Sequence, residues 1–179
     1  MNKRLEKLNN HWQTLGLAPL AIGVGINTGE VVVGNMGSKT RWNYSVLGDE
    51  VNLASRLEGL NKIYGTSCIV GEATKRALAG EDFLLRELDL VTVKGKKEPT
   101  TIYELIVRPI DEKLKKVLEL FAAGRDFYAT GNWDKAIIEF NRALAVAADG
   151  PSQVFLDRCL EMKTNPPPHW RGVYEFHTK

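Results

Sequence analysis

Arg41-Trp42-Asn43-Tyr44-Ser45-Val46-Leu47-Gly48-Asp49-Glu50-Val51-Asn52-Leu53-Ala54-Ser55-Arg56-Leu57 changes its hydrophobic period at Gly48-Asp49. Trp42 to Leu47, rich in aromatic and β-branched residues, reads as a strand. Gly48-Asp49 breaks it, and Val51, Leu53, Ala54, Leu57 and Leu60 then set up a helical face. Asn52 and Arg56 lie one helical turn apart on a shared face, so an amide and a guanidinium can reach one ligand together. The same spacing also suits a solvated helix face with Arg56 in an ordinary ion pair. Spacing leaves both readings open.

Upstream, Leu5, Leu8, Trp12 and Leu15 recur at helical spacing between Asn2 and Leu15, and Gly16 with Pro19 ends the pattern. Ile22, Val24 and Ile26 alternate with small residues, Thr28-Gly29-Glu30 supplies a turn, and Val31-Val32-Val33 resumes an apolar run, which together predict a β-hairpin or strand pair. Gly34 to Thr40 reads as a loop. Its glycines invite a phosphate-loop reading, but Ser38 stands between Gly37 and Lys39, so the G-x-x-x-x-G-K-[ST] pattern is absent.

Downstream, Cys68 to Val70 is a short buried strand, Glu72 to Ala79 a short helix, and Phe83 to Val93 a long strand returning through Thr101 to Val107. Lys94-Gly95-Lys96-Lys97-Glu98-Pro99 forms the turn between them. After Pro109 the composition shifts to Ala, Leu and charge at helical spacing, which places a boundary between Arg108 and Asp111. Two helices are expected next. Their Ala123-Gly124, Phe127, Gly131, Ala136, Phe140 and Ala143 match the spacing of a tetratricopeptide unit, in which small residues let antiparallel helices approach and aromatics fill the gap. One such unit cannot bury its apolar face alone, so it is expected to cap the N-terminal domain, a neighbouring chain or a partner helix. The tail from Pro166-Pro167-Pro168 reads as extended, with Trp170, Tyr174 and Phe176 available for packing. The expected division is 1–108, 111–160 and 161–179.

At 179 residues, 44% hydrophobic and 26% charged, the chain has ordinary globular composition and can bury a core. A net charge of +2 with scattered basic residues gives no nucleic-acid footprint. Cys68 and Cys159 lack CxxC or His-linked spacing and read as free buried thiols in a reducing compartment. No run approaches the ~18 apolar residues of a spanning helix.

The quoted stretch resembles class III adenylate and guanylate cyclase catalytic domains: tyrosine, small polar residue, apolar pair, Gly-Asp, then V-N-L-A-S-R-L. Ile22-Gly23-Val24-Gly25-Ile26-Asn27-Thr28-Gly29-Glu30-Val31-Val32-Val33-Gly34-Asn35 and Val93-Lys94-Gly95-Lys96 extend the likeness in family order. The resemblance implies an α+β chain: a partial ferredoxin-like class III nucleotide cyclase domain with a C-terminal α-helical hairpin. It gives Asn52 the orientation of the ribose and Arg56 the stabilisation of charge on the phosphates, work for which a planar fork of donors is suited. It places Lys94 on the terminal phosphates, against the plainer reading of a solvated turn lysine. It also places Ser45 at the purine edge, where a small hydroxyl favours ATP over GTP.

In that family two metal ions, magnesium or manganese, activate the attacking hydroxyl and neutralise the triphosphate. Their aspartates lie on early segments that do not occur in this sequence, and Asp49, Asp82 and Asp89 stand in other contexts. No metal ligand is therefore assigned, and the adenine-reading lysine of the family is also absent. Family sites form between two catalytic domains, so the expected partners are ATP and either a second copy or another cyclase catalytic domain. The chain alone is expected to be inactive, as a fragment of a longer cyclase or a half-domain that works beside another chain. Losing early strands is expected to expose an apolar edge and favour self-association. The expected location is cytoplasmic, as a free domain or as part of a membrane-anchored cyclase. Rival readings are a non-catalytic nucleotide-binding or cyclase-partner module, and an interaction protein working through residues 111–160.

Overall fold

The computed structural model describes residues 2–38, 40–92 and 98–176, with only the backbone of Asn2 and Lys3. In chain order the elements are α1 (Asn2–Thr14), β1 (Val24–Ile26), β2 (Val32–Ser38), β3 (Arg41–Leu47), α2 (Asp49–Tyr64), β4 (Cys68–Gly71) and α3 (Glu72–Ala77). They continue through β5 (Leu85–Thr92), β6 (Thr100–Leu105), α4 (Glu112–Ala129), α5 (Trp133–Val146), α6 (Gly150–Thr164) and β7 (Tyr174–Glu175). Among the described residues a five-stranded sheet runs β1-β4-β6-β5-β7, and β2 and β3 make a separate ribbon. The result is the expected mixed α+β architecture.

The predicted pairing of the segments around residues 22–26 and 31–33 does not form. β1 instead lies parallel to β4, with Val24 opposite Cys68. β2 runs through most of the expected loop and pairs with β3 from Val32↔Leu47 to Ser38↔Arg41. The reason is partner quality: Trp42, Tyr44 and Val46 offer β2 a full ladder, and ladder hydrogen bonds override the weak strand propensity of its glycines and serine. Meanwhile β1 is claimed by α2. A Cβ at Gly25 would sit 2.1 Å from the Ala54 carbonyl oxygen and 2.4 Å from the Glu58 nitrogen, so only glycine lets strand and helix come this close. Buried Asn61 fastens the pair, its amide nitrogen donating to the Val24 carbonyl at 3.0 Å while its oxygen accepts from Thr66. Gly65 ends α2 in the left-handed conformation, φ 66°, which glycine adopts without penalty.

Among the described residues three helices, not two, follow β6. Each starts on a side chain that accepts a free backbone N–H: Asp111 from Leu114, Asn132 from Lys135 and Asp149 from Ser152. Pro151 in the first turn of α6 completes the start signal that the hairpin reading passed over. Gly124 lies under the ring of Phe140, where a Cβ would come within 2.6 Å, the close helix approach expected of its small residue.

One hydrophobic cluster joins the two halves. Leu53, Leu57, Leu60 and Tyr64 of α2, Leu88 and Val91 of β5 and Ile102 of β6 meet Phe121, Tyr128, Phe140 and Phe155 of the helical segment. The hydrophobic cluster continues across the composition change near 108–111. The tail also packs: Trp170 donates its indole N–H to the Tyr128 carbonyl at 2.8 Å, and β7 pairs in parallel with β5. Cys68 and Cys159 are free and buried, as expected.

Two charged networks cross the join. Arg86 of β5 donates to Glu104 of β6 and, at 2.9 Å, to both carboxylate oxygens of Asp149 at the start of α6. Arg158 of α6 donates to Asp89 of β5 at 2.6 Å and to the Tyr64 hydroxyl at 3.1 Å, and that hydroxyl donates to Asp89. All the side chains in both networks are buried. Such pairs fix geometry more than they add stability, because desolvation offsets much of the attraction.

Candidate active site

α2 presents the predicted pair at its uncovered flank. Leu53 and Leu57 face the core, which leaves Asn52 exposed and Arg56 half-buried beside them. Among the described residues neither side chain has a hydrogen-bond or ion-pair partner, so the ordinary ion pair allowed by the spacing of Arg56 does not form. An unspent amide and an unspent guanidinium on consecutive turns are donors suited to a polyanion.

Ser45 lies on β3 opposite Gly34, half-buried, with its hydroxyl directed to the Asn43 carbonyl at 3.4 Å. No hydrogen bond joins it to Asn52 or Arg56. Lys94 lies outside the described residues. The structure therefore brings together two of the four predicted residues, on one helix, and leaves Ser45 on the separate ribbon.

Around the first turn of α2, Asn27, Thr28, Gly29, Glu30, Asp49, Glu50 and Glu72 line a cleft of about 600 Å³. Asn27 donates to Glu50, its buried carbonyl oxygen has no partner, and the Thr28 and Thr74 hydroxyls are 3.0 Å apart. Four carboxylates against the single guanidinium of Arg76 make this cleft unfavourable for a triphosphate. A larger cleft, about 920 Å³, lies at the other end of α2 between α1, β6 and the start of α6, away from Asn52 and Arg56.

Among the described residues no three His, Cys, Asp or Glu side chains converge. Asp49 and Asp82 are exposed, while Asp89 is buried and committed to Arg158, Tyr64 and the Leu90 N–H. Burial raises the Asp89 carboxyl above its ordinary range, with Arg158 and the two other donors opposing, and burial likewise holds the Tyr64 hydroxyl protonated. Neither group is a metal ligand or a free base. No helix of the described residues is long and apolar enough to cross a membrane.

Sequence reasoning passed over what sets α2 in place. Gly25 and Asn61 fix its distance from β1, and the only sequence signal was a glycine inside a strand pattern, a mark of close backbone approach.

The sequence model of the adenylate and guanylate cyclase catalytic domain matches residues 1–106, more than half of the chain. The chain belongs to that family. Cyclase relatives include an adenylate cyclase specific to terminal differentiation from Dictyostelium discoideum, 37% identical over 145 residues, covering 78% of this chain and 7% of its own length. A match of that coverage reaches past residue 106 into the helical segment. An adenylate cyclase from Anabaena cylindrica is 43% identical over 111 residues, 59% of this chain and 22% of that protein. Among solved structures, the adenylyl cyclase CyaB from P. aeruginosa superposes with a TM-score of 0.53 at 34% identity, over 61% of this chain and 55% of that one. The cyclase chain thus spans less than a quarter of these two curated relatives.

Proposed function

We propose that this cyclase segment supplies one half of a site that converts ATP to cyclic AMP and pyrophosphate at an interface between two catalytic domains. The reading rests on the unspent pair Asn52 and Arg56, held side by side on a helix that Gly25 and Asn61 anchor to the sheet. In this reading the ATP ribose hydroxyl attacks the first phosphate and pyrophosphate leaves. Asn52 orients the ribose, and Arg56 meets charge as it develops on the phosphates, an effect that grows where water is excluded. Ser45 reads the purine edge and Lys94 holds the terminal phosphates. Magnesium or manganese would be held by carboxylates outside the described residues, since those present do not converge.

The same lack of converging carboxylates favours a second reading, a module that binds nucleotide or a cyclase partner without turnover. Cyclic AMP formation from ATP with manganese separates the two. The chain is assayed alone and mixed with a cyclase domain that carries metal aspartates but has its own Asn and Arg removed. Activity in the mixture alone supports the half-site. Silence in both, from a folded sample, supports the non-catalytic module.

A further inference from the structure

α6 touches the last turn of α2 at two separate places. At its start, Gly150 lies so close to the Tyr64 carbonyl that a Cβ would sit 2.3 Å from the oxygen. Two turns further on, the Arg158 guanidinium reaches around to the Tyr64 side chain, with one nitrogen on the hydroxyl at 3.1 Å and another on Asp89 at 2.6 Å. Tyr64 is fully buried, and its hydroxyl closes the triangle by donating to Asp89. The tail completes the enclosure: the Tyr174 ring centre lies 3.5 Å from the Arg158 guanidinium carbon, and Phe176 meets the Tyr64 ring edge-on.

These contacts hold only one end of a rigid rod. At about 1.5 Å per residue, Arg56 lies about 12 Å and Asn52 about 18 Å up the same helix from Tyr64. The opposite end of α2 begins at Gly48, where no side chain caps the helix. Its tilt and rotation are set along its side by Gly25, Asn61 and the Leu53, Leu57 and Leu60 face against the core, at its first turn by the Asn27–Glu50 hydrogen bond, and at its foot by α6.

We propose that Arg158 and Tyr64 are positioning residues, through which the C-terminal helical segment sets the placement of Asn52 and Arg56. The functional part of this inference rests on the half-site reading above. Its mechanical part stands on the buried triangle alone. The likeness to the Dictyostelium cyclase, reaching past residue 106, accords with a helical segment that belongs to the working unit.

Amide hydrogen exchange of the full chain tests the mechanical part, because general loss of stability speeds exchange everywhere while loss of positioning speeds it in one element. Tyr64→Phe removes a single hydroxyl and leaves Arg158 paired with Asp89. Arg158→Lys keeps the charge but loses the fork, and serves if the first variant does not fold. The expected result is exchange about ten-fold faster across residues 52–64 with α4 and α5 unchanged. Arg125→Met, which cuts the Arg125–Glu87 pair between α4 and β5, is expected to leave α2 unchanged. Exchange in α2 within two-fold of wild type, or an equal rise in α4 and α5, overturns the proposal. In the complemented assay, Tyr64→Phe is expected to lower kcat about ten-fold with KM for ATP within two-fold, whereas Arg125→Met moves neither. A mixture that is silent already with the wild-type chain refutes the half-site and leaves exchange to decide the positioning claim.

Discussion

Trp42 and Tyr44 on the β2–β3 ribbon stand 63% and 76% exposed, whereas Phe140 and Phe155 are wholly buried among α4, α5 and α6. The ribbon, with Val32, Val33, Val46 and Leu47 also exposed, leaves most of its large apolar side chains in solvent. The helical segment interlocks its own: Phe155 meets Phe121 edge-on at 5.4 Å and Tyr128 at 4.7 Å. The ribbon that carries Ser45 is thus left uncovered, whereas the helical segment beyond the family match packs its aromatics into the core it shares with α2 and the sheet. Exposed apolar surface of this extent is where a partner would dock under the half-site proposal. The packed segment does the holding.

Phe155→Ala would break this contrast most severely. Truncating an aromatic at that junction is expected to cost about 3–5 kcal/mol, read as a lower denaturant midpoint. Gly25→Ala is expected to cost about 1–3 kcal/mol, because the added methyl meets α2 backbone that can yield only by moving the helix. Exchange in α2 would rise with it.

Cys159 sharpens the contrast through pH. Burial pushes its thiol up to about 12, with Arg158 drawing it partly down. The folded value lies above the unfolded one, so the contribution to stability is complete below the ordinary thiol range near ~8.5 and is lost as pH rises through about 12. Wild type is expected to lose stability relative to Cys159→Ala across that window and to resist thiol reagents at pH 8 until unfolded. The smallest effect belongs to the ribbon. Trp42→Ser and Tyr44→Ser are each expected to change stability by less than about 0.5 kcal/mol, while sedimentation shows weaker self-association.

The passage from strand to helix at Gly48 was legible because two hydrophobic periods meet there, and β3 and α2 fall where those periods place them. The sheet assignment of β1 was not: alternation and a Thr-Gly-Glu turn fit a hairpin equally well, and the deciding contact is the Gly25 backbone against α2. α6 announced itself locally, through Asp149 ahead of Pro151, yet its bond to the sheet did not, since Arg158 and Asp89 stand 69 residues apart and no local pattern relates them. For the site, helical spacing brought Asn52 and Arg56 to one flank. Whether Arg56 was spent on an ion pair needed three dimensions.

Cyclic AMP formation by the mixed sample, with and without Arg56→Ala in this chain, tests the central claim most directly. The half-site account predicts manganese-dependent product in the mixture and its loss on Arg56→Ala, with the folded state intact. Product that persists with Arg56→Ala would contradict it, because the guanidinium left free on α2 would then have no part in the reaction.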